Sequence, residues 1–478
     1  MIYRKLSSEG GVAEMRGKRG ITILGAAIAV STMLAANSVA LAADTGAPAA
    51  PDNSLTMYGI TLYGTVDIGL QYETHGVPIS DYFPAGSESI IQKNSNHSVL
   101  GATPSNMSQS RIGLSGAEPL PGLGDWQGVF KVETFFNPQS GEIADALKSQ
   151  VLNNGRALAV QTTNVDSSVA GQAFQQAFAG FSSKTFGMLT FGRQNTLLAD
   201  GIAQYDPQMA SQAFSLIGFS GTAAGGGDTE DRRLSSSLKY VEKYNGFHVG
   251  AEYKFNGATG GANSAYEFQL GADFAGLSVD AFYVYVRDAV ATAALSAAQV
   301  TELPVLGFSP SNSLASTISD NRSYGIMATY NLGVPKVYAG YEHINFANPR
   351  TPLAAGFDDI GGYKLAFVNN AAFPHAKVLQ VFWAGVKLAV SPKLDLTGAY
   401  YGYRQNSYGI GASAGCSSTL AATCSGAENA VSASLDYRFT KRFDAYAGLM
   451  WTWVEDGLAS GFLNKSTVDP TIGIRFRF

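Results

Sequence analysis

The chain has 478 residues, of which 46% are hydrophobic, 11% aromatic and only 14% charged, with 54 glycines, two cysteines and a formal net charge of −5. Soluble domains carry about 25% charged residues, so roughly half the usual charge is missing, yet mean hydropathy is only +0.03. A disordered chain would be poorer in aromatics and richer in charge, and a helical membrane protein would show several uncharged apolar stretches of about 20 residues, so both classes are excluded.

One such stretch exists, at the N-terminus. No residue from Gly20 to Ala43 is charged, and Arg16, Lys18 and Arg19 stand just before it. Ile21 to Ala36 is an apolar run, and Ala40-Leu41-Ala42 supplies the small residues a signal peptidase requires. The expectation is a signal peptide over 1–42, cut after Ala42, with Ala43 the alternative; a retained anchor is the rival reading. Met15 heads a more ordinary basic segment than Met1 and is an alternative start. Removing 1–42 leaves 27 Lys and Arg against 35 Asp and Glu, a net of −8. Export and that sign argue against a nucleic-acid partner. Residues 43–57, with Pro48 and Pro51, read as a short lead-in, and 58–478 as one architecture.

From Tyr58 to Tyr72 the even positions carry Tyr58, Ile60, Leu62, Val66, Ile68, Leu70 and Tyr72, while the odd ones carry Gly59, Thr61, Tyr63, Thr65, Asp67, Gly69 and Gln71. Successive strand side chains face opposite sides, so one face is apolar throughout, with a tyrosine at each end. A strand of an ordinary sheet alternates over ~5–6 residues; fifteen, with flanking aromatics, matches a tilted outer-membrane strand. The same period recurs in Phe247 to Phe255, Val431 to Phe439, Phe443 to Trp451 and Ile472 to Phe478. Period two with scattered glycine excludes helix.

Sixteen segments of this kind are predicted, over 58–73, 109–117, 125–137, 173–183, 187–194, 233–242, 246–256, 264–275, 276–287, 321–331, 334–343, 377–389, 393–404, 428–439, 441–452 and 469–478. Their connections alternate in length, seven short turns against eight mostly long loops. That is the pattern of an all-β, 16-stranded antiparallel transmembrane β-barrel with long extracellular loops and both chain ends on the short-turn side. In lipid every backbone polar group must be paired within the protein, and a closed barrel does this without an edge. At about sixteen strands the lumen is too wide for side chains to fill.

Several blocks resemble the general trimeric porins of Gram-negative bacteria, across nearly the whole mature chain. They are Leu62-Tyr63-Gly64-Thr65-Val66-Asp67, Ser110 to Glu118, Phe186 to Gln194, Arg233 to Tyr240, and the closing Ile474-Arg475-Phe476-Arg477-Phe478. Ser236 departs from the asparagine many relatives have there. The resemblance implies a homotrimer in outer-membrane lipid, with Phe478 as the signal read by the outer-membrane barrel assembly machinery. It also implies a third long loop, here about 195–232, folded into the lumen as a constriction. Its acids are Asp200, Asp206, Asp228, Glu230 and Asp231. The facing wall would hold Arg111, Lys131, Glu133, Arg193, Arg232 and Arg233. Parity points Arg111, Lys131 and Glu133 inward; it puts Arg193 with Leu189 and Phe191, towards lipid, unless Gly192 breaks the pleat. A lipid-facing Arg costs ~2–4 kcal/mol at the midplane, which with the resemblance favours the lumen.

Cys416 and Cys424 lie in one long loop of an exported chain and read as a disulfide. The five histidines make no zinc spacing, and no cofactor or metal is expected. The implied activity is passive diffusion of small hydrophilic solutes and ions through a water-filled channel. A substrate-selective channel of the same fold is the alternative, and an outer-membrane barrel enzyme, needing a converged Ser, His and acid, is the less favoured one.

Overall fold

In the computed structural model the described residues are 55–77, 91–143, 146–162, 173–217, 233–255, 264–411 and 422–478. The expected signal segment 1–42 and most of the lead-in lie outside them. Sixteen antiparallel strands close into a barrel: β1 Ile60–Gly76; β2 in two pieces, His97–Pro104 and Arg111–Pro119; β3 Gln127–Phe135; β4 Gln176–Ser183; β5 Gly187–Asn195; β6 Arg233–Tyr244; β7 Phe247–Lys254; β8 Ala265–Phe274; β9 Leu277–Ala293; β10 Ser313–Asn331; β11 Pro335–Ala347; β12 Lys377–Ser391; β13 Leu394–Gln405; β14 Gly426–Arg438; β15 Phe443–Asp456; and β16 Ser466–Arg477. Closure is between β1 and β16, from Thr65 opposite Arg477 to Gln71 opposite Thr471. The last residue takes part, because Gly64 N donates to Phe478 O at 2.9 Å and Phe478 N to Gly64 O at 3.1 Å. A methyl group on Gly64 would sit 2.4 Å from the Phe478 ring, so only glycine fits at this seam.

Side-chain alternation sorts the faces. In β1, Leu70 and Tyr72 are exposed outside, while Thr65, Asp67 and Gln71 are buried inside. On β14 to β16, Val431, Leu435, Leu449, Trp451, Ile472 and Ile474 point out. So much exposed apolar surface is a membrane-contact signature rather than that of a soluble monomer. Aromatic ladders bound it: Tyr437, Phe439, Phe443, Phe476 and Phe478 stack in succession at the short-turn rim, with centroids 5.1 to 6.5 Å apart. Near the long-loop rim, Tyr253 meets Phe255 at 4.9 Å and Trp451 meets Trp453 at 4.5 Å.

Seven connections of two to seven residues alternate with eight of nine to forty, as expected. Three differences from the expected segments have physical causes. β1 begins at Ile60, because Tyr58 (φ 51°) and Gly59 (φ 77°) form a turn that folds Leu55–Met57 back onto it. β2 starts twelve residues earlier than the predicted 109, its two pieces separated where Ser105 adopts φ 60°. Asp67 fills that break, accepting from Met107 N at 3.0 Å and Ser108 N at 2.8 Å. β9 and β10 run on to Ala293 and back to Ser313, beyond the predicted 276–287 and 321–331, through stretches where small, polar and apolar residues mix and give no clear alternation to read. The loops add helices α1 (Ala146–Leu152), α2 (Leu197–Tyr205) and α3 (Ala297–Leu306), and a hairpin of Phe357–Ile360 with Tyr363–Asn369.

Candidate functional site: the lumen and its inward loop

The β5–β6 connection carries α2. Thr196 caps it, its hydroxyl accepting from Ala199 N at 3.0 Å, and Pro207 follows its last turn, where proline commonly ends a helix. Leu197, Leu198, Gly201, Ile202 and Tyr205 form one buried stripe, the spacing of an amphipathic helix face. With Leu216 and Ile217 further along the loop, that stripe joins one buried cluster with inward residues of β9 to β15, among them Phe282, Val284, Met327, Val381, Trp383, Tyr401 and Tyr403, α2 itself lying against β7 to β11. The largest apolar cluster of the molecule therefore lies inside the barrel, between loop and wall.

Polar contacts fix the loop along its length. Trp383 Nε1 donates to Tyr205 O at 3.0 Å, and Tyr205 OH to Asp280 Oδ2 at 2.5 Å. Tyr401 OH donates to Asp206 Oδ1 at 2.6 Å, and Tyr403 OH to Leu216 O. Gln208 joins β14 through Ser432 at 3.2 Å and Ser434 at 2.7 Å. Ala213 N donates to Asn106 O at 3.0 Å; Asn106 donates to Tyr446 OH, which donates to Asp67. The loop thus ties α2 to the break in β2, so closure of the barrel and seating of the loop share residues.

The opposite wall, β1 to β6, is polar inside. Glu133 is at its centre, 3.8 Å from Arg111 Nη1 and 3.6 Å from Lys131 Nζ. Its remaining acceptor capacity takes Tyr63 OH at 3.0 Å and Gln176 Nε2 at 2.9 Å. Lys131 lies over the Tyr63 ring and Arg233 over the Phe135 ring, 5.7 and 4.5 Å from the centroids, contacts that hold cations without neutralising them. Lys239 joins wall to loop, bonding Asp200 Oδ2 at 2.6 Å and Asn195 O at 2.8 Å.

The structure thus brings Arg111, Lys131, Glu133 and Arg233 together and sets Asp200 beside them through Lys239. Asp206 is fully buried. It accepts from Gln208 N at 3.1 Å and Ala210 N at 2.8 Å besides Tyr401, forming the turn after α2; burial raises its carboxyl above the ordinary range against these donors. The expected inward placement of Arg193 is corrected. It pairs opposite Ala177, in register with the outward Leu189 and Phe191. Gly192, at φ 135°, does break the pleat, but on the β6 side, where the register slips. Arg193 bonds Phe174 O at 3.2 Å and Ser235 Oγ at 2.7 Å instead. Asp228, Glu230, Asp231, Arg232 and Cys416 lie outside the described residues. Cys424 is buried, its Sγ 3.4 Å from Ser425 O.

Residues that sequence reasoning missed are those that seat the loop: Asp67, Asn106, Lys239, Trp383, Tyr401, Tyr403 and Tyr446. The available signal was in β12 and β13, where Leu379, Val381, Trp383, Tyr401 and Tyr403 share the inward parity. An apolar inward face in a water-filled barrel requires something to cover it.

A closed sixteen-stranded barrel with an apolar exterior and a loop folded inside it is an outer-membrane channel architecture. The chain belongs to the Gram-negative porin family, whose model matches residues 26–456. It is 28% identical over 199 residues to an outer membrane porin protein of Bordetella pertussis, a match spanning 41% of this chain and 43% of that relative. The anion-selective porin from Comamonas acidovorans shares the fold with a TM-score of 0.57 at 17% identity, over 88% of this chain and 99% of that one. OmpT, an outer membrane protein of Vibrio cholerae, gives 0.53 at 15% identity, over 89% of this chain and all of the other. Family and architecture place the protein in the outer membrane.

Proposed function

We propose that the protein forms a water-filled channel for passive, energy-independent diffusion of small hydrophilic solutes and ions across the outer membrane. The observation that carries this is the asymmetric lumen: the inward loop covers the apolar wall of β9 to β15, and a polar wall bearing Arg111, Lys131, Glu133 and Arg233 remains opposite. Charged groups lining a constriction set which ions enter. Asp200 belongs to this aperture, and Asp228, Glu230, Asp231 and Arg232 complete the loop's share of its field.

The working assembly is a homotrimer in outer-membrane lipid. Phe478, seated at the seam, acts as the assembly signal; 1–42 is removed on export; Cys416 and Cys424 staple their loop. The protein is a channel and not an enzyme. Reconstitution in planar bilayers tests the reading: stepwise conductance supports it, and no conductance together with hydrolysis of peptides or lipids overturns it.

A further inference from the structure

On the outer face of β7 to β10, close to the long-loop rim, a cavity of about 430 Å³ is lined by Tyr253, Tyr266, Tyr285, Arg287, Arg322 and Arg350. The strand residues face outward by register: Tyr253 is opposite Tyr266, Tyr266 opposite Tyr285, and Tyr285 opposite Arg322, while the intervening Glu267, Val284 and Ser323 are buried inside. Arg322 is nine positions from Asn331, where β10 meets its short turn. At ~3.3 Å rise per residue and ~40° tilt, this sets it about 23 Å above that turn, at the upper edge of an apolar band roughly 25 Å tall.

Three guanidinium groups at a hydrocarbon boundary are costly unless a counter-charge meets them. Two have partners. Arg287 lies 3.4 Å from Asp288 and bonds Thr351, and Arg350 lies 3.5 Å from Asp320, which also accepts from Tyr285 OH at 3.1 Å. Arg322 has neither a hydrogen bond nor an ion pair among the described residues, and it is exposed. Among the described residues three cations against two carboxylates leave one positive charge, on a cleft whose aromatic walls suit acyl or sugar packing.

We propose that this cleft binds the phosphorylated headgroup of a lipid in the outer leaflet, the phosphate on Arg322 with Arg287 and Arg350 beside it and the chains running down the belt past Tyr266 and Phe268. Guanidinium matches phosphate in bidentate geometry. The test is native mass spectrometry of delipidated full-chain protein offered phosphatidic acid, with diacylglycerol as the phosphate-free control and inorganic phosphate as competitor. Preferential retention of phosphatidic acid is expected. Arg322→Gln, which breaks no hydrogen bond or ion pair among the described residues, should weaken it about 5-fold, and Gln at all three arginines about 100-fold, from the surface contribution of each basic residue. Lys393→Gln, at the opposite rim, should leave retention unchanged. Equal retention of diacylglycerol, no loss in Arg322→Gln, equal loss in Lys393→Gln, or displacement of the lipid by inorganic phosphate at matched concentration would each overturn the proposal.

Discussion

The two sides of the barrel solve different problems with the same strand geometry. β1 to β6 have apolar residues outside and charged or amide residues inside: Arg111, Lys131, Glu133, Gln176 and Lys239 stand on that inner face. β9 to β13 are apolar on both faces at mid-height, with Tyr324, Ile326 and Leu396 outside and Phe282, Met327, Val381, Trp383 and Tyr401 inside. A two-sided apolar wall is stable beside water only when its inner face is covered, and the β5–β6 loop covers it. Loop position therefore follows from the inward residues of distant strands rather than from the loop's own charges. Asp206 illustrates this: an acid expected at the aperture is the buried pin of the turn after α2.

The largest effect should come from exposing the apolar wall. Trp383→Ala removes the indole and its bond to Tyr205 O; large aromatic truncations cost about 3–5 kcal/mol, enough to unseat the loop. Single-channel recordings should show larger, noisier openings, whereas unchanged openings would mean the loop is held elsewhere. Next comes Gly201→Leu. A Cβ there would lie 2.3 Å from the Phe282 ring, so α2 must lift, at about 1–3 kcal/mol for overpacking, with a similar but smaller change in conductance.

Asp206→Ala strands Tyr401 OH and two backbone N–H donors, at about 1–3 kcal/mol, while Asp206→Asn keeps an acceptor in place and should cost less. Because burial raises this carboxyl, its contribution is full below the unfolded carboxylate range and falls as pH rises through the folded value. Open-channel noise should accordingly grow with pH in the wild type and depend less on pH in Asp206→Asn; the reverse slope would contradict the assignment. The smallest effect is on the polar side. Asp125 accepts from Ser183 Oγ at 2.8 Å, Lys184 N at 2.8 Å and Thr185 N at 3.2 Å, and these bonds, Ser183's foremost, hold its carboxyl below the usual range. Asp125→Ala should slightly lower the temperature at which the barrel unfolds in detergent. The two proteins should converge as pH falls through that depressed value, since a lowered carboxyl loses its contribution on protonation.

How much could be read from the residues divides along the same line. Where inner and outer faces differ in polarity, as in β1, β7, β14 and β16, parity located the strands, and Arg111, Lys131 and Glu133, to which it gave an inward direction, lie together on the inner face. Where both faces are apolar, as in β12 and β13, alternation carries no direction, and the inward Trp383, Tyr401 and Tyr403 went unnoticed. Where small, polar and apolar residues mix, as in Ser313 to Asp320 of β10, strand and loop look alike. At Arg193 the alternation pointed outward and the resemblance inward; the register agrees with the alternation. The Asp67, Asn106 and Tyr446 network joins residues up to 379 apart, a separation that no local pattern reports.

The proposed conduction path runs between the seated loop and the wall carrying Arg111, Lys131 and Arg233. The most direct test is the reversal potential of wild type and Arg111→Glu in planar bilayers under a potassium chloride gradient. The predicted result is stepwise conductance in both, with the variant's reversal potential shifted towards cation preference, because the substitution replaces a positive charge with a negative one on the aperture wall. Stepwise conductance with an unchanged reversal potential would contradict the account by removing this wall from the conduction path.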